Sequence, residues 1–384
     1  MGDSSPIKVM HIIARMNVGG PAVEIVELMR GLDPQVVSQR LVTGYCEEDE
    51  ADYLETQAQD IPATRIRGLG RSVRLTDDLR AFHQLVKLIR NSRPDIVHTH
   101  TAKAGVLGRI AARVAGTKPQ LVHTYHGHLL HGYFGATSTK LIILVDKVLA
   151  TWTSQIICVG SRVRDDLIRA RIGVANRFTV IRVGVEDVSL PDERLARTLL
   201  GLGEQDFVVL MLGRLTAIKR PDRLLEVVRR TSHANRNLKF VVAGGGPDEA
   251  ELRRVAKEED LPIVVLGWRS DVEQLVAAAD VMLLTSDNEG TPIALIQGAL
   301  GAVPAVATNV GSVSEVVEHG VTGFLCPPRP GKISQALLTL VGDPDLLELM
   351  GREARRRALR EFSLQTCVDH HRAMYEGVVD FAFL

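Results

Sequence analysis

The sequence predicts an α/β protein with two Rossmann-like domains, each built on a doubly wound parallel sheet. Short apolar runs rich in valine and isoleucine alternate with amphipathic stretches along the chain, which is typical of βαβ units and parallel sheets. The length of 384 residues exceeds what a single hydrophobic core usually serves, so two domains are expected.

The apolar runs fall into two series of predicted strands. The first series is Lys8–Ala14, Val36–Val42, Thr64–Arg67, Asp95–His98, Leu121–Thr124, Gln155–Val159 and Phe178–Ile181. The second series is Phe207–Leu212, Lys239–Ala243, Ile263–Leu266, Val281–Leu284, Ala305–Ala307 and Gly323–Leu325. Helical patterns lie between the strands, for example Thr76–Asn91 and Ala102–Ala115.

The polar interval Gly184–Leu202 contains Pro191 and separates the two series, so we interpret it as a linker. The expected domains are residues 1–186 and 187–363. From residue 343 onward the pattern is helical, and a helix within 364–384 is expected to cross back onto the first domain. Because doubly wound sheets bind ligands beyond the carboxyl ends of their strands, two sheets facing each other predict a central cleft.

The composition is that of a soluble globular protein, with 45% hydrophobic and 24% charged residues. No apolar run approaches the roughly 20 residues that cross a bilayer, and the first residues lack a secretory signal pattern. The four cysteines are far apart and form no C-x-x-C pair: Cys46, Cys158, Cys326 and Cys367. Buried thiols in a reducing compartment are therefore expected, and with them a cytoplasmic location.

The net charge of zero hides an asymmetry between the two halves of the chain. Residues 1–187 contain 24 Lys or Arg and 19 Asp or Glu, and the remaining residues contain 22 and 27. A basic first half suits an acceptor phosphate or the inner face of a membrane, with chance scatter as the alternative. The candidate contact segment contains Arg65, Arg67, Arg71 and Arg74, and a solvated loop is its alternative. Few aromatics and no basic–aromatic interleaving exclude nucleic acid as a partner.

A glycine pair follows the first predicted strand. Gly19, Gly20 and Pro21 open a helix there, and a helix N-terminus with side-chain-free approach suits a phosphate. The full G-x-G-x-x-G fingerprint is missing, so an NAD site is disfavoured. A tight turn without a ligand remains the alternative.

The first turn of the second domain carries two cations. Gly213 and Arg214 end the strand and Lys219 follows five residues later, so two cations can grip a diphosphate from one side. Solvated surface cations are the alternative. Gly244 begins a Gly-Gly-Gly-Pro loop after the next strand and supplies another side-chain-free turn.

The stretch Asn288-Glu289-Gly290-Thr291-Pro292-Ile293 follows a buried strand and precedes an apolar helix. Pro292 suits the first helical turn, whose free N–H groups can bind an anion. The Glu289 carboxylate can accept hydrogen bonds from sugar hydroxyls. The alternative is an acid favoured near the helix dipole.

Six histidines lie at or after the ends of two predicted strands: His98, His100, His123, His126, His128 and His131. No cysteine or suitably spaced carboxylate completes a metal site, so no metal is expected. His126, followed by Gly127, is expected to donate hydrogen bonds to hydroxyls or phosphate. Nucleophile-elbow and phosphate-loop motifs are absent from the sequence, and no predicted strand ends in a metal-binding D-x-D pair. Asp343-Pro344-Asp345 has that spacing but is expected to open a helix.

Seven motifs occur in order: V-G-G-P-A, D-I-V-H-T-H-T-A-K-A-G, H-T-Y-H-G-H, G-R-L-T-A-I-K-R-P-D, A-G-G-G-P, L-G-W-R-S-D-V and S-D-N-E-G-T-P-I-A-L-I-Q-G-A. With them the chain resembles the family-4 retaining glycosyltransferases of the GT-B fold over nearly its whole length. The stretch H-G-H-L-L-H-G-Y-F is similar to the branch that makes bacterial cell-surface polysaccharides and glycolipids.

The resemblance implies a nucleotide diphosphate sugar donor, UDP-linked by preference, and a hydroxyl acceptor, with no cofactor and no metal. It implies that Arg214 and Lys219 grip the donor diphosphate, that Glu289 holds the donor sugar, and that His126 lies near the reacting centre. One position departs from the family. Gln297 stands where the relatives have a second acid that binds the ribose hydroxyls.

The remaining donor positions carried over from the resemblance are mostly backbone. Gly19 and Gly20 would lie beside the phosphates and the acceptor, and the helix beginning at Pro292 would offer N–H groups to the leaving diphosphate. The whole donor-binding set is Gly19, Gly20, Gly213, Gly244, Gly267, Trp268, Arg269, Gly290, Thr291, Pro292, Ile293 and Gln297.

The expected activity is therefore hexosyl or N-acetylhexosaminyl transfer with retention to a glycan, lipid-linked or small-molecule acceptor, in polysaccharide or glycolipid synthesis. A nucleotide-sugar epimerase on the same plan is one alternative, and it would consume the donor without an acceptor. A non-catalytic sugar-nucleotide-binding protein is the other. Gln297 favours that reading, whereas Arg214, Lys219 and Glu289 favour an enzyme.

Overall fold

A computed structural model describes residues 5–48, 50–70, 72–127, 136–232 and 237–380, with only the backbone for 136–139. The chain divides into two compact units. Unit 1 comprises Met1–Gly184 together with Leu364–Leu384, and unit 2 comprises Val185–Ser363.

Unit 1 contains a seven-stranded parallel sheet in the order β3-β2-β1-β4-β5-β6-β7. Its strands are β1 Ile7–Ile13, β2 Val37–Thr43, β3 Ala63–Arg65, β4 Ile96–His100, β5 Gln120–Tyr125, β6 Gln155–Cys158 and β7 Phe178–Val180. Its first helices are α1 Gly20–Gly31, α2 Tyr53–Thr56, α3 Leu75–Ser92, α4 Ala102–Ala115, α5 Ala136–Trp152 and α6 Ser161–Arg169.

Helices cover both faces of this sheet, which explains why its strands are almost continuously apolar. Successive strand residues point to opposite faces. Met10 and Val97 accordingly join a core cluster with α3 and α4. Their neighbours Val9 and Ile96 join a second cluster on the other face.

Unit 2 contains a six-stranded parallel sheet in the order β10-β9-β8-β11-β12-β13. Its helices and strands are α7 Glu193–Leu199, β8 Phe207–Leu212, α8 Pro221–Ser232, β9 Leu238–Ala243, α9 Glu249–Glu258, β10 Ile263–Gly267, α10 Val272–Ala277, β11 Val281–Leu284, α11 Ile293–Leu300, β12 Ala305–Thr308, α12 Val313–Val316, β13 Gly323–Cys326, α13 Pro330–Gly342 and α14 Pro344–Glu361. Phe240 and Leu283 of its strands share one core cluster with Leu224 and Leu337 of its helices.

The last helix, α15 Leu364–Asp380, returns to unit 1. Its Cys367, Val368 and Tyr375 are buried in one cluster with Leu28 of α1 and Val122 of β5. A segment that follows unit 2 in the chain therefore completes the core of unit 1.

The predicted fold class is confirmed, and all thirteen predicted strands are present with bounds within two residues. The division between the two units falls at the start of the predicted linker Gly184–Leu202, and the same interval also contains α7. The Asp192 carboxylate accepts a hydrogen bond from the backbone N–H of Leu195 and so caps this helix. Pro191 directly precedes this cap, at the end of a segment without helix or strand.

Two smaller predictions also need correction. Pro292 is the N-cap of α11 and the helix begins at Ile293, because the extended ψ of the proline leaves it outside the helical turn. All four cysteines are free, but Cys46 is only partly buried. Among the described residues, no helix combines the length and apolar character needed to cross a bilayer.

Candidate active site

In unit 2 the predicted residues gather where the strand order reverses. The neighbours of β8 are β9 on one side and β11 on the other, so the segments that follow β8 and β11 leave the sheet in opposite directions. Open α/β sheets bind ligands at such a point, beyond the carboxyl ends of the strands. The segments 213–220 and 285–292 therefore define the candidate site of this unit.

Lys219 and Glu289 meet at this point. The Lys219 ammonium donates a hydrogen bond to Glu289 Oε1 over 2.6 Å. The Ser286 hydroxyl donates to the same carboxylate oxygen. Glu289 is buried and Lys219 is about one fifth exposed, so the cation is the more accessible member of the pair.

Backbone and hydroxyl hydrogen bonds fasten the two segments to each other. The N–H of Asp287 donates to the carbonyl of Ile218 over 2.9 Å. The Thr285 hydroxyl donates to the carbonyl of Lys219 over 2.8 Å. The position of Lys219 beside Glu289 is therefore set by the loops as well as by the ion pair.

A group of charges that the sequence did not single out supports these loops. The buried guanidinium of Arg223 donates to the carbonyl of Thr285 and, over 2.6 Å, to the Asp287 carboxylate. Partial burial works to raise the pKa of Asp287, but hydrogen bonds from Arg223 and Arg220 outweigh it, so the pKa lies below its usual value. Arg220 also pairs with Asp222, and its charge is therefore already compensated.

The turns after β8, β9 and β10 are joined by their backbones. The N–H of Gly213 donates to the carbonyl of Ala243, and the N–H of Gly244 donates to the carbonyl of Gly267 over 2.7 Å. Gly244 has a φ of 141°, and a Cβ there would lie 2.0 Å from the carbonyl oxygen of Gly213. Only glycine fits this position, which leaves a surface of backbone beside the partly buried Arg214.

Trp268 and Arg269 follow β10 at the same edge of the sheet. The Trp268 indole lies so close to Gly245 that a Cβ on that glycine would come within 2.3 Å of its Nε1. The Arg269 guanidinium donates two hydrogen bonds to the Asp271 carboxylate. Because Asp271 compensates the charge of Arg269, a ligand here would meet mainly the backbone and the indole.

The loop after β11 leads directly into α11. Gly290 and Thr291 are partly exposed, and α11 buries Ile293 on its inner side. Gln297 lies one turn further along, on the less buried side of the helix that it shares with Ala294. Gln297 thus lies on the same helix that begins beside Glu289.

In unit 1 the strand order reverses between β1 and β4. Gly19 is the N-cap of α1 and Gly20 its first residue, so the glycine pair opens a helix after β1 as predicted. His126 comes directly after β5, the next strand along the sheet. His128 and His131 lie outside the described residues.

Both ring nitrogens of His126 have partners within unit 1. Nε2 lies 3.0 Å from Nδ1 of His100, and Nδ1 lies 3.2 Å from Oε2 of Glu24 on α1. Glu24 is buried, and the His126 side chain is about one tenth exposed. Sequence reasoning missed Glu24, because only the fold brings α1 next to the end of β5.

The histidines behind His126 form a buried hydrogen-bonded group. Burial lowers the pKa of His11 to about 4 and holds the pKa values of His98, His100 and His123 well below the usual value. The possible ligand nitrogens of His11, His98 and His100 lie within 4.8 Å of one another.

These nitrogens already have hydrogen-bond partners in the protein. His98 contacts the hydroxyls of Tyr375 and Thr124 at 2.7 Å each. His11 contacts His100 at 3.2 Å and Gln39 at 3.1 Å. We therefore interpret the three histidines as members of a hydrogen-bonded network and not as metal ligands.

Two Rossmann-like units, with glycine turns and a cation–carboxylate pair where the strand order reverses, are typical of enzymes that bind phosphorylated ligands. Comparison with known families specifies the class. Residues 18–188 match the profile of Glycosyltransferase Family 4, and residues 193–357 match that of Glycosyl transferases group 1.

Individual relatives agree with these profiles. The chain is 30% identical over 341 residues, 85% of its length and 86% of the relative's, to UDP-Gal:alpha-D-GlcNAc-diphosphoundecaprenol alpha-1,3-galactosyltransferase of Escherichia coli. It is 22% identical, over 79% of its length and 80% of the relative's, to N-acetyl-alpha-D-glucosaminyl L-malate synthase of Bacillus anthracis.

Among solved structures, the fold is similar to Anabaena Alr3699/HepE in complex with UDP and glucose. The TM-score is 0.82 at 22% identity, and the similarity covers 97% of this chain and all of the other. The chain belongs to glycosyltransferase family 4, with the GT-B class of fold, and the predicted family and enzyme class are confirmed.

Proposed function

We propose that this glycosyltransferase transfers a sugar from a UDP-linked donor, with retention, to a hydroxyl of a glycan or lipid-linked acceptor in cell-surface polysaccharide synthesis. The name of the Escherichia coli relative contains both a UDP-sugar and a lipid diphosphate acceptor. The similar Anabaena structure contains UDP and glucose.

The observation that carries this proposal is the Lys219–Glu289 pair. A lysine ammonium is a compact donor for diphosphate oxygens, and a carboxylate is an acceptor for sugar hydroxyls. Their nitrogen and oxygen lie 2.6 Å apart, so a diphosphate next to Lys219 has its attached sugar within reach of Glu289. Arg214, the glycine turns and the N-terminus of α11 add further donors for the phosphates.

The transfer is chiefly a problem of stabilising the departing negative charge. The bond between the sugar C1 and the diphosphate oxygen breaks, and the acceptor oxygen bonds to C1 from the same face. The acceptor proton passes to the departing diphosphate, so the step needs no further base. Arg214 and Lys219 compensate the charge that develops on the diphosphate.

We propose that unit 1 binds the acceptor. The helix N-terminus at Gly19 and Gly20 suits an acceptor phosphate. His126 lies at the same edge of the sheet and is assigned to the reacting sugar and acceptor. Residues 1–186 and 364–384 would then serve the acceptor, and residues 187–363 the nucleotide sugar.

The proposed donor is tested by mixing the enzyme with a panel of nucleotide sugars and of lipid-linked and glycan acceptors. We expect a glycosylated product only with a UDP-sugar, and the anomeric proton coupling in its NMR spectrum should match that of the donor. Incubation with donor alone distinguishes the epimerase alternative, which would give an epimeric nucleotide sugar. An inverted anomer in the product would refute retention.

A surface of unit 1 supports peripheral membrane contact, the second element of the proposal. Val73 and Leu75 are 77% and 85% exposed, and Arg67 and Arg74, which are close to them in sequence, are exposed as well. Exposed apolar and basic side chains together suit anionic lipid. Arg65 is not part of this proposed membrane surface, because its guanidinium pairs with Asp52 and with the carbonyl of Gly44. Arg71 lies outside the described residues.

Co-sedimentation with vesicles tests this surface. Binding should rise with the content of anionic lipid and fall in the double variant Arg67→Ala/Arg74→Ala. Arg352→Ala is the matched control, because Arg352 is an exposed arginine of unit 2. Binding that is indifferent to anionic lipid, or equally weakened by the control, would refute the membrane contact.

A further inference from the structure

A hydrogen-bonded row of side chains crosses the carboxyl edge of the unit 1 sheet. It runs from Gln39 on β2 through His11 on β1, His100 on β4 and His126 after β5 to Glu24 on α1. The successive separations between hydrogen-bonding atoms are 3.1, 3.2, 3.0 and 3.2 Å. Every histidine in this row uses both of its ring nitrogens.

The amide of Gln39 determines which ring nitrogen of each histidine in the row carries a proton. Its Nε2 donates to the carbonyl of Met29, so its Oε1 faces His11 and can only accept. His11 Nε2 must therefore carry a proton. In a neutral ring this leaves Nδ1 unprotonated (bare), so that it can only accept a hydrogen bond. Burial lowers the pKa of His11 to about 4, so the ring is neutral near pH 7.

The same reasoning passes along the row. The bare Nδ1 of His11 requires a proton on Nε2 of His100, and the buried, neutral His100 then has a bare Nδ1. That nitrogen in turn requires a proton on Nε2 of His126. A neutral His126 would then turn a bare Nδ1 toward the carboxylate of Glu24, and two acceptors would face each other at 3.2 Å.

One additional proton between His126 and Glu24 removes this conflict. Imidazole is the stronger base of the two groups in water, so the proton belongs on Nδ1 of His126. The pair is then an imidazolium hydrogen-bonded to a carboxylate, with no net charge. The Glu24 side chain is buried and the His126 side chain keeps a small exposed surface, which limits the desolvation that a buried ion pair otherwise suffers.

The other titratable groups around the pair are neutral near pH 7. His98 and His123 of the sheet and His371 of α15 have pKa values lowered by burial. Burial raises the pKa of Cys367 to about 12 and holds the pKa of Tyr375 well above its usual value. Within the described residues of this cluster, the His126–Glu24 pair is thus the place where charge is held.

We propose that Glu24 is a positioning residue that keeps His126 doubly protonated and fixes its ring, while His100 holds the other ring nitrogen. The consequence for catalysis rests on the proposed function, which assigns His126 to the reacting sugar and acceptor. Because the pair has no net charge and both N–H groups of the ring are engaged, the ring would act on the reacting groups as a fixed dipole, without reorientation.

The substitution Glu24→Gln tests the protonation state directly. The new amide can donate to Nδ1 of His126, so the row stays fully hydrogen-bonded while the additional proton is lost. Nitrogen-15 NMR of histidine side chains in the unliganded protein should show two protonated ring nitrogens for His126 in the wild type and one in the variant. The signals are assigned by their loss in His126→Gln.

Glu27→Gln is the matched control, since Glu27 lies on the same helix and pairs with Arg30. It should leave the His126 signals unchanged. A bare Nδ1 in the wild type at pH 7, or the same protonation state in Glu24→Gln, would overturn the proposal. Stoichiometric zinc in the purified protein would also overturn it, because a metal would take the nitrogens of the row.

Kinetics supply the second readout. In Glu24→Gln, kcat should fall by about a hundredfold at pH 8, in the range for loss of one charge-stabilising group. Glu24→Asp, which keeps a carboxylate, should lose less kcat than Glu24→Gln. Equal losses in the two variants would mean a merely structural role. The NMR result does not depend on which donor the enzyme uses. It can therefore refute this proposal without refuting the proposed function, and the reverse also holds.

Discussion

At the scale of single residues, the Lys219–Glu289 contact is the main feature of unit 2. Each group compensates the charge of the other over 2.6 Å, and neither carries an isolated charge before a ligand arrives. Removal of either side chain therefore has two effects. It removes a ligand contact, and it leaves the other group without its partner.

Lys219→Ala should lower kcat by about a hundredfold to a thousandfold, as expected for loss of one group that stabilises charge in a transition state. Initial rates at saturating donor measure this change. Lys257→Ala, at an exposed position of α9, is the control and should leave kcat unchanged. A decrease of less than about fivefold would mean that Lys219 does not contact the reacting diphosphate.

Gln297→Glu should strengthen binding of UDP by up to about tenfold, because a charge-assisted hydrogen bond to a ribose hydroxyl exceeds a neutral one by roughly 1 kcal/mol. Isothermal titration with UDP measures the change. Gln335→Glu introduces the same charge at an exposed position of α13 and serves as the control. Unchanged affinity would place residue 297 away from the nucleotide.

At the scale of secondary structure elements, α15 contributes a specific polar contact as well as apolar packing. The Tyr375 hydroxyl is buried and lies 2.7 Å from Nδ1 of His98. Tyr375→Phe leaves that nitrogen without its partner, which costs about 1–3 kcal/mol of unfolding free energy. Urea unfolding of unit 1 measures this loss. Tyr45→Phe, which removes an exposed hydroxyl, should leave the midpoint unchanged.

The strands were predictable from sequence because each is a buried apolar run between polar segments, as in Phe207–Leu212. Gly19 and Lys219 could be predicted for a related reason, since each follows a strand end. The contacts that support these residues could not be predicted. Glu24 and His126 are 102 positions apart, and only the packing of α1 against the end of β5 brings them together.

At the scale of the whole molecule, the buried histidines make unit 1 the acid-sensitive half. Above pH 6.5, His11 is neutral in both the folded and the unfolded protein. Between pH 6.5 and about 4, His11 binds a proton only in the unfolded protein. Stability is therefore lost as pH falls through that window, by about 3 kcal/mol for His11 alone. In the described part of unit 2 the one histidine, His319, is exposed.

The two tryptophans allow this asymmetry to be measured, because Trp152 lies in unit 1 and Trp268 in unit 2. Fluorescence of Trp268→Phe reports on unit 1, and that of Trp152→Phe reports on unit 2. The urea midpoint of unit 1 should fall steeply between pH 6.5 and 4.5, ahead of that of unit 2. Parallel decreases in both variants would contradict the prediction.

The placement of α15 also bears on the order in which the protein matures on the ribosome. Residues 185–363 form an uninterrupted unit and can fold as soon as they emerge. The first 184 residues appear earlier, yet their core lacks Cys367, Val368 and Tyr375 until translation has passed unit 2. The half of the protein that is synthesised first is therefore the half that is completed last, and until then its incomplete apolar face is a natural target for chaperones.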